Sequence, residues 1–476
     1  MQRLLAIVAL TWKAAFRFRL FWVLAALLLG SVVVLPALLK DDGTARGFIQ
    51  IMLTYTLSVI TTLLGLSTLW LACGTLARDI EDASIQMVVV KPIARWQVWL
   101  GKWLGLMLLN ATLLALAGGG IYGMLQWRTS LIERDLARAR AVKDEKLAAH
   151  LENQLGILRN EIFVARASLK EPEPDIDADV EQQFQKVPNR NSMSPEQQQE
   201  TRFQLRERIM AIQQLVPPNH LRRWTIEMGA QRLLARDQPL FLRIKFHAAQ
   251  TNASGTYLGL WQVGPPDDPK VRSQPQSLAA DTFHELRIPP NLFDENGRLT
   301  IDFVNRNNVA LIFPLDDGLE VLYREGGFGL NFARGLGIIW CWLALLATMG
   351  LATSSVMSFP VAAFVSISLL AVALSSGTLT NVVKEGSVMG ADHETGAVAG
   401  SWIDFFIIPL FKSILGIVNV VQGFEPVDAL SSGRSVTWAQ LGKAFLQIVV
   451  LLSGLLALAG MALFTRRELA TAQSQS

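Results

Sequence analysis

Charge is what this chain has little of. Only 17% of its 476 residues are Asp, Glu, Lys or Arg. Six runs, 21–39, 48–76, 104–125, 336–356, 359–379 and 444–464, contain none of these and no His. Ionisable groups at membrane depth are what a proton or ion relay needs, so their lack argues against one. The two cysteines, Cys73 and Cys341, both fall inside such runs, which argues against a structural disulfide. No Cys/His spacing suggests a zinc site, and no metal ligand set is expected. Adjacent Asp392, His393 and Glu394 cannot all point at one ion in regular structure. The net charge of +3 is too small to imply a nucleic-acid partner. The chain has no G-x-x-x-x-G-K-[ST] run, so it lacks a phosphate-cradling loop of its own. No constellation of nucleophile, base and metal marks an enzyme.

What is abundant is apolar sequence, at 51%. Each of the six runs reaches the roughly 18–20 residues that cross a hydrocarbon core of ~30 Å. None shows the polar face of a soluble helix, and in lipid the helix satisfies its own backbone. The expected fold class is therefore mainly α: six transmembrane helices plus an extracytoplasmic insert made of a helical stalk and a small β-sandwich. The first run is too long for a cleaved signal peptide and precedes Lys40-Asp41-Asp42 without a small-x-small site, so it is expected to stay in the membrane. Arg3, Lys13, Arg17 and Arg19 precede it; Arg78, Lys91, Arg95 and Lys102 fill the loop after the second; Arg466 and Arg467 follow the last. The positive-inside rule then puts both termini and loop 77–103 in the cytoplasm, and the 126–335 and 380–443 segments outside.

Residues 1–19 read as an interfacial amphipathic helix, with Leu4, Val8, Trp12, Ala15 and Phe16 near one face and Lys13 and Arg17 on another. Spans one to three occupy 20–126. The 127–238 segment is expected to be a helical stalk, because Leu147, Leu151, Leu155, Leu158 and Ile162 recur at helical spacing. From 239 to 325 the period becomes two, in short runs separated by Gly/Pro/Asp/Asn clusters, as in a β-sandwich. Its last stretch, 299–323, resembles the closing strands of jelly-roll modules that often bind carbohydrate. Two readings of Tyr257, Trp261, Asn305 and Asn307 stand: an exposed aromatic-plus-amide sugar site that also takes in His284 and Asn308, or core aromatics and turn asparagines. Spans four to six fill 330–476, with an outer re-entrant segment at 402–422 interrupted by Pro409, Lys412 and Gly416.

Loop 77–103 carries the most specific pattern. A charged opening (Arg78, Asp79, Glu81, Asp82) leads to an apolar run at 85–90. Lys91-Pro92 then interrupts any helix. A second helix leads into the third span, with Arg95 and Lys102 at its edge and Trp96, Trp99 and Trp103 as interface anchors. Paired acids and bases held between two spans suit docking onto a soluble partner.

This loop resembles the segment joining the second and third spans of permease subunits of type-2 ABC exporters. Arg78, Asp79, Glu81, Ser84, Ile85, Pro92, Ile93, Arg95, Gly101 and Lys102 carry the likeness; Ala83 stands where the family has Gly, and Val88-Val89 where it has Leu-Leu. Residues 407–447 and 464–469 are similar to the closing segment of gliding-motility and copper-site-assembly permeases. The likeness covers about 1–126 and 330–470 and leaves out the insert. It implies a multi-pass bacterial inner-membrane permease, paired with a second identical or different permease. ATP and Mg would sit in a separate ATP-binding subunit that docks on Arg78, Asp79, Glu81, Asp82, Lys91, Pro92 and Arg95. Such a complex would export a substrate, lipidic or amphiphilic in view of the uncharged spans. The alternative is a force-transmitting complex that acts on a periplasmic or envelope partner through the insert, whose other candidate partner is a carbohydrate. The stripe Thr54, Ser58, Thr61, Gly65, Thr68, Ala72 and Thr75 on the second span suits either helix packing or a translocation path.

Overall fold

The computed structural model describes residues 2–17, 20–38, 45–82, 93–172, 174–188, 190, 193–229, 238–252, 254–265, 272–294, 296–385 and 403–467. The chain divides into two compact units: Met1–Val164 with Gly327–Ser476, and Ala165–Gly326.

The first unit is helical. Its elements are α1 (Gln2–Arg17), α2 (Leu20–Leu38), α3 (Ala45–Glu81), α4 (Arg95–Val142), α5 (Glu145–Ile157), a π-helical turn π1 (Leu158–Ile162), α8 (Phe328–Ser354), α9 (Phe359–Leu374), α10 (Ser376–Glu385), α11 (Asp404–Gln422), α12 (Pro426–Ser431), α13 (Trp438–Ala444), a π-helical stretch π2 (Phe445–Ser453) and α14 (Gly454–Arg466). Among the described residues, five helices are long and apolar enough to cross a membrane: Ile49–Glu81, Arg95–Val142, Phe328–Ser354, Asp404–Ser431 and Trp438–Arg466. This is the helix pattern of a multi-pass membrane protein. Two of the expected spans appear only as the shorter apolar helices Phe21–Leu35 and Phe359–Leu374. The segment expected to be a re-entrant pair instead forms one 19-residue helix, α11, that carries Pro409 inside it. Its apolar side chains keep the helix going on both sides of the proline.

Close backbone approach organises the helices. A Cβ at Gly101 would lie 2.7 Å from Ile7 Cγ2, and one at Gly105 would lie 2.6 Å from Thr11 Cβ. These glycines sit one turn apart on α4, so α1 seats Ile7 and Thr11 in the hollow they leave. The interfacial helix expected at 1–19 therefore spends one face on α4, while Leu5, Leu10 and Lys13 stay exposed. A Cβ at Gly350 would lie 2.7 Å from Ala72 Cβ, which marks the crossing of α3 and α8. Within the small-residue stripe of α3, Gly65, Thr68 and Ala72 are buried and Ser58 is exposed. Thr68 donates to Asn110 Oδ1 of α4 at 2.9 Å.

Helix α4 has 48 residues, roughly 70 Å at 1.5 Å per residue, and so outruns a ~30 Å core. The sequence pattern suggests that the helix continues, but it turns at Lys143, whose φ of 57° is left-handed. Asp144 caps α5 by accepting from Leu147 N at 3.1 Å. α5 and π1 run back along α4, burying Leu155, Leu158 and Ile162 with Leu136. Arg159 pairs with Glu133 at 2.6 Å across this hairpin, and Arg140 pairs with Glu152.

The second unit is a β-sandwich with helices α6 (Ile176–Phe184) and α7 (Pro195–Gln214). Its strands are β1 (Val164–Leu169), β2 (Leu215–Val216), β3 (Leu221–Glu227), β4 (Leu240–Ile244), β5 (His247–Ala248), β6 (Thr256–Val263), β7 (Arg272–Ala279), β8 (His284–Ile288), β9 (Arg298–Asn305), β10 (Leu311–Ile312) and β11 (Leu319–Gly327). They form sheets ordered β1-β11-β4-β8, β3-β9-β6-β7 and β2-β10-β5. The expected boundary at 239 is thus corrected. Strands β1, β2 and β3 come from the stretch expected to be stalk. The alternation of Trp224 and Ile226, both buried, is too short a run to stand out in sequence. The core between the large sheets holds Trp224, Trp261, Phe303, Leu242, Ile301 and Val321.

One sheet buries charge. Arg166 pairs with Glu285 at 2.7 Å, with side-chain exposures of 2% and 6%. Arg243 faces Glu320 at 3.4 Å, with exposures of 4% and 0%. Arg243 is also the register partner of Glu285. Two arginines and two glutamates thus neutralise one another on adjacent strands. Glu320→Gln leaves two buried guanidinium groups with one carboxylate and should lower the protein's unfolding midpoint, a loss of about 3–5 kcal/mol in this unit. The double change Arg243→Met with Glu320→Met should cost clearly less; intrinsic-fluorescence melts compare them. Gly101→Leu should undock α1 at a cost of about 1–3 kcal/mol by overpacking. Faster tryptic cleavage at Lys13 reports it.

Candidate functional site

The residues singled out in loop 77–103 lie where helix ends of the first unit meet. At the end of α3, Glu81 Oε1 accepts from the backbone N–H of Phe359 at 2.8 Å. Phe359 is the first residue of α9, so a carboxylate sits on the positive end of that helix. The Arg78 guanidinium lies 4.6 Å from the centre of the Phe359 ring, and Trp70 meets the same ring edge-on at 5.0 Å. Asp79 pairs with Lys102 of α4 at 2.5 Å, and Lys102 Nζ also donates to Thr75 O at 2.7 Å.

At the start of α4, Arg95 does the converse. Its Nη1 donates to Thr465 O at 2.8 Å and to Arg467 O at 2.7 Å. A cation therefore caps the carbonyl end of α14, again with the favourable sign. One turn on, Trp99 is fully buried and its Nε1 donates to Oγ of Ser355, the residue that caps α8, at 3.3 Å. Arg467 Nη1 reaches Ser355 O at 3.2 Å. A further turn on, Trp103 Nε1 donates to Thr348 Oγ1 at 2.8 Å.

Five helices, α3, α4, α8, α9 and α14, are therefore tied at one end of the unit by a few polar and aromatic side chains. The sequence reading expected these charges to face a partner. Arg78, Asp79, Glu81 and Arg95 each make a contact within the chain, and Arg78 and Glu81 also remain exposed. Asp82 is exposed at the end of α3. Lys91 and Pro92, with Ser84, Ile85 and the Val88-Val89 pair, lie outside the described residues, as does the Asp392-His393-Glu394 cluster. Trp99, expected at the membrane interface, is a core residue. Ser355, Phe359 and the carbonyls at 465 and 467 were not foreseen. The four-residue spacing of Arg95, Trp99 and Trp103 was the available signal, since it stacks all three on one helix face.

The sugar-site reading of the insert is corrected by burial. Tyr257 and Trp261 are each 2% exposed. Tyr257 Oη donates to Gln250 O at 2.8 Å, and Trp261 packs against Phe303 with ring centres 4.5 Å apart. Asn305 is fully buried and donates to Val216 O at 3.0 Å and Val309 O at 2.9 Å. Asn307 exchanges two hydrogen bonds with the backbone of Leu258, at 2.9 and 2.8 Å. These amides stand in for strand partners where β9 ends. His284 Nε2 lies 2.8 Å from Ala279 O. Nearby, burial holds the Arg222 guanidinium below its ordinary pKa, partly offset by Glu171, and the ring of Trp224 lies 4.7 Å away.

In comparisons with known proteins the chain matches no family model, no curated protein and no solved structure.

Arg95→Ala should uncap α14 at a cost of about 1–2 kcal/mol. Hydrogen exchange of the 460–467 amides should quicken while the sandwich amides are unchanged; unchanged exchange at 460–467 would refute the cap.

Proposed function

We propose that this chain is the permease subunit of an ABC-type exporter, driven by ATP that a separate subunit hydrolyses. One observation carries the reading. The segment resembling a coupling loop sits where Glu81, Arg78, Asp79–Lys102 and Arg95 join the ends of five helices. A push delivered there reaches all five at once, as a two-state gate requires. In this reading the engaged charges transmit force, and the exposed Asp82 with the 83–92 segment meets the ATPase. That end of the unit faces the cytoplasm, and the insert lies on the far side of the bacterial inner membrane. A second permease copy or paralogue completes the complex.

A second reading is favoured by the length of α4. It runs unbroken from Arg95 through a span to Val142, so motion at the loop end can be carried well beyond the hydrocarbon. A complex that moves an envelope partner rather than a solute would use such a helix.

The first test is co-purification in mild detergent from the native cells. A nucleotide-binding subunit should come down with the wild-type chain and be lost or weakened at least severalfold with Asp82→Arg. Reversing Glu81 or Arg95 would not discriminate, because both hold helix ends. If no ATPase co-purifies while the chain stays folded, the reading fails. With the complex in vesicles, ATP-dependent accumulation of a lipidic solute supports export, and ATP turnover without accumulation supports force transmission.

A further inference from the structure

At the end of the helical unit remote from Arg95, a cation sits without an anion. Arg334, in the second turn of α8, is 8% exposed. Its Nε donates to Leu330 O at a long 3.4 Å. Its two terminal nitrogens meet no acceptor and no carboxylate among the described residues, and both keep accessible surface. A guanidinium held this deep costs free energy unless its donors are met. The Trp438 ring lies 5.6 Å from the Arg334 Cζ, a contact that uses the charge and leaves the N–H groups free.

Trp438 also opens the 29-residue helix Trp438–Arg466. At that opening Thr437 and Gln440 form a capping box. Gln440 N donates to Thr437 Oγ1 at 3.1 Å, and Thr437 N donates to Gln440 Oε1 at 2.9 Å. The box serves its own two residues. The backbone N–H groups of Trp438 and Ala439, both exposed residues, are left without an acceptor, on the positive end of the helix. The indole N–H of Trp438 is free as well. A deeply held guanidinium thus lies beside a helix start with unspent donors, and every unspent group is a donor.

The surroundings say what form the anion takes. Leu330, one turn from Arg334, and Phe445, two turns along from Trp438, are exposed apolar side chains, and Trp438 itself is 61% exposed. These suit an ion that arrives attached to hydrocarbon, with an indole at the level of the head groups. A guanidinium fork takes two oxygens of one phosphate, and helix N–H groups take a third. No unspent acceptor is there to receive the ammonium of a zwitterionic lipid.

We infer that Arg334 and the start of helix Trp438–Arg466 bind the phosphate of one anionic phospholipid head group. The inference uses neither the coupling loop nor an ATPase, so it stands or falls apart from the proposed function.

The test uses the full chain in nanodiscs of phosphatidylcholine, with or without phosphatidylglycerol. Hydrogen exchange of the 436–441 stretch should slow severalfold when phosphatidylglycerol is present. Inorganic phosphate added to the phosphatidylcholine discs should not slow it. This measurement needs no variant. Native mass spectrometry should then find one phosphatidylglycerol retained in preference to phosphatidylcholine. Arg334→Gln should weaken that retention by about tenfold, as the loss of a hydrogen-bonded charge predicts. Arg466→Gln removes the same charge at the far end of the same helix and should leave it unchanged. Exchange that ignores phosphatidylglycerol would overturn the site, and so would equal loss of lipid in both variants. Slowing by inorganic phosphate alone would overturn the lipid as the source of the anion.

Discussion

Helices surrounded by lipid gain nothing from hiding apolar side chains from one another, because the tails outside are just as apolar. What holds this unit together must therefore come from contact so close that lipid cannot compete. Gly101, Gly105 and Gly350 provide it, letting α1 lie on α4 and α3 cross α8 at near-backbone distance. The residual polar bonds follow from those crossings. Thr68 finds Asn110, and Trp103 finds Thr348, because the helices that carry them have been drawn together. In the sandwich the solvent is water, and there the ordinary rule applies: aromatic and aliphatic side chains from two sheets fill a shared core.

Charge follows the same division. Along the apolar helices it is sparse, and two of the charges that enter cap helix ends. Glu81 meets the N-terminus of α9, and Arg95 meets the C-terminus of α14. Each satisfies backbone groups that a helix end leaves unpaired. Inside the sandwich, two Arg–Glu pairs are buried to a few per cent exposure and neutralise each other across strands. Such pairs add little net stability but make wrong strand registers expensive.

The apolar runs made the helical unit legible, because twenty uncharged residues admit few other structures. The strands at 299–304 and 241–244 were legible for the same reason in period two. What escaped was set by distant partners. Nothing local announces that α4 turns back at Lys143 rather than continuing, since the leucines of α5 suit either a longer helix or a hairpin. Nothing in a seven-residue run marks β3 as the partner of β9. At the candidate site the sequence singled out charged residues without showing which helix ends within the chain they touch. A charged loop residue looks solvated until the helix end it caps is known, and that end lies hundreds of positions away for Glu81 and Arg95. Asn305 and Asn307 misled in the same way, being turn-formers in appearance and strand substitutes in fact.

Helix Trp438–Arg466 changes its winding partway, since π2 interrupts it between α13 and α14. An α-helix advances about 100° per residue, and a wider turn advances less, so the two flanking segments share an axis but not an angular phase. That offset sets the angular position of α14, which presents Gly460 to Ala352 and its terminal carbonyls to Arg95. The stretch behaves as a gear with one tooth out of step: shortening it by a residue would leave the helix intact and swing every contact beyond it by about 100° around the helix axis.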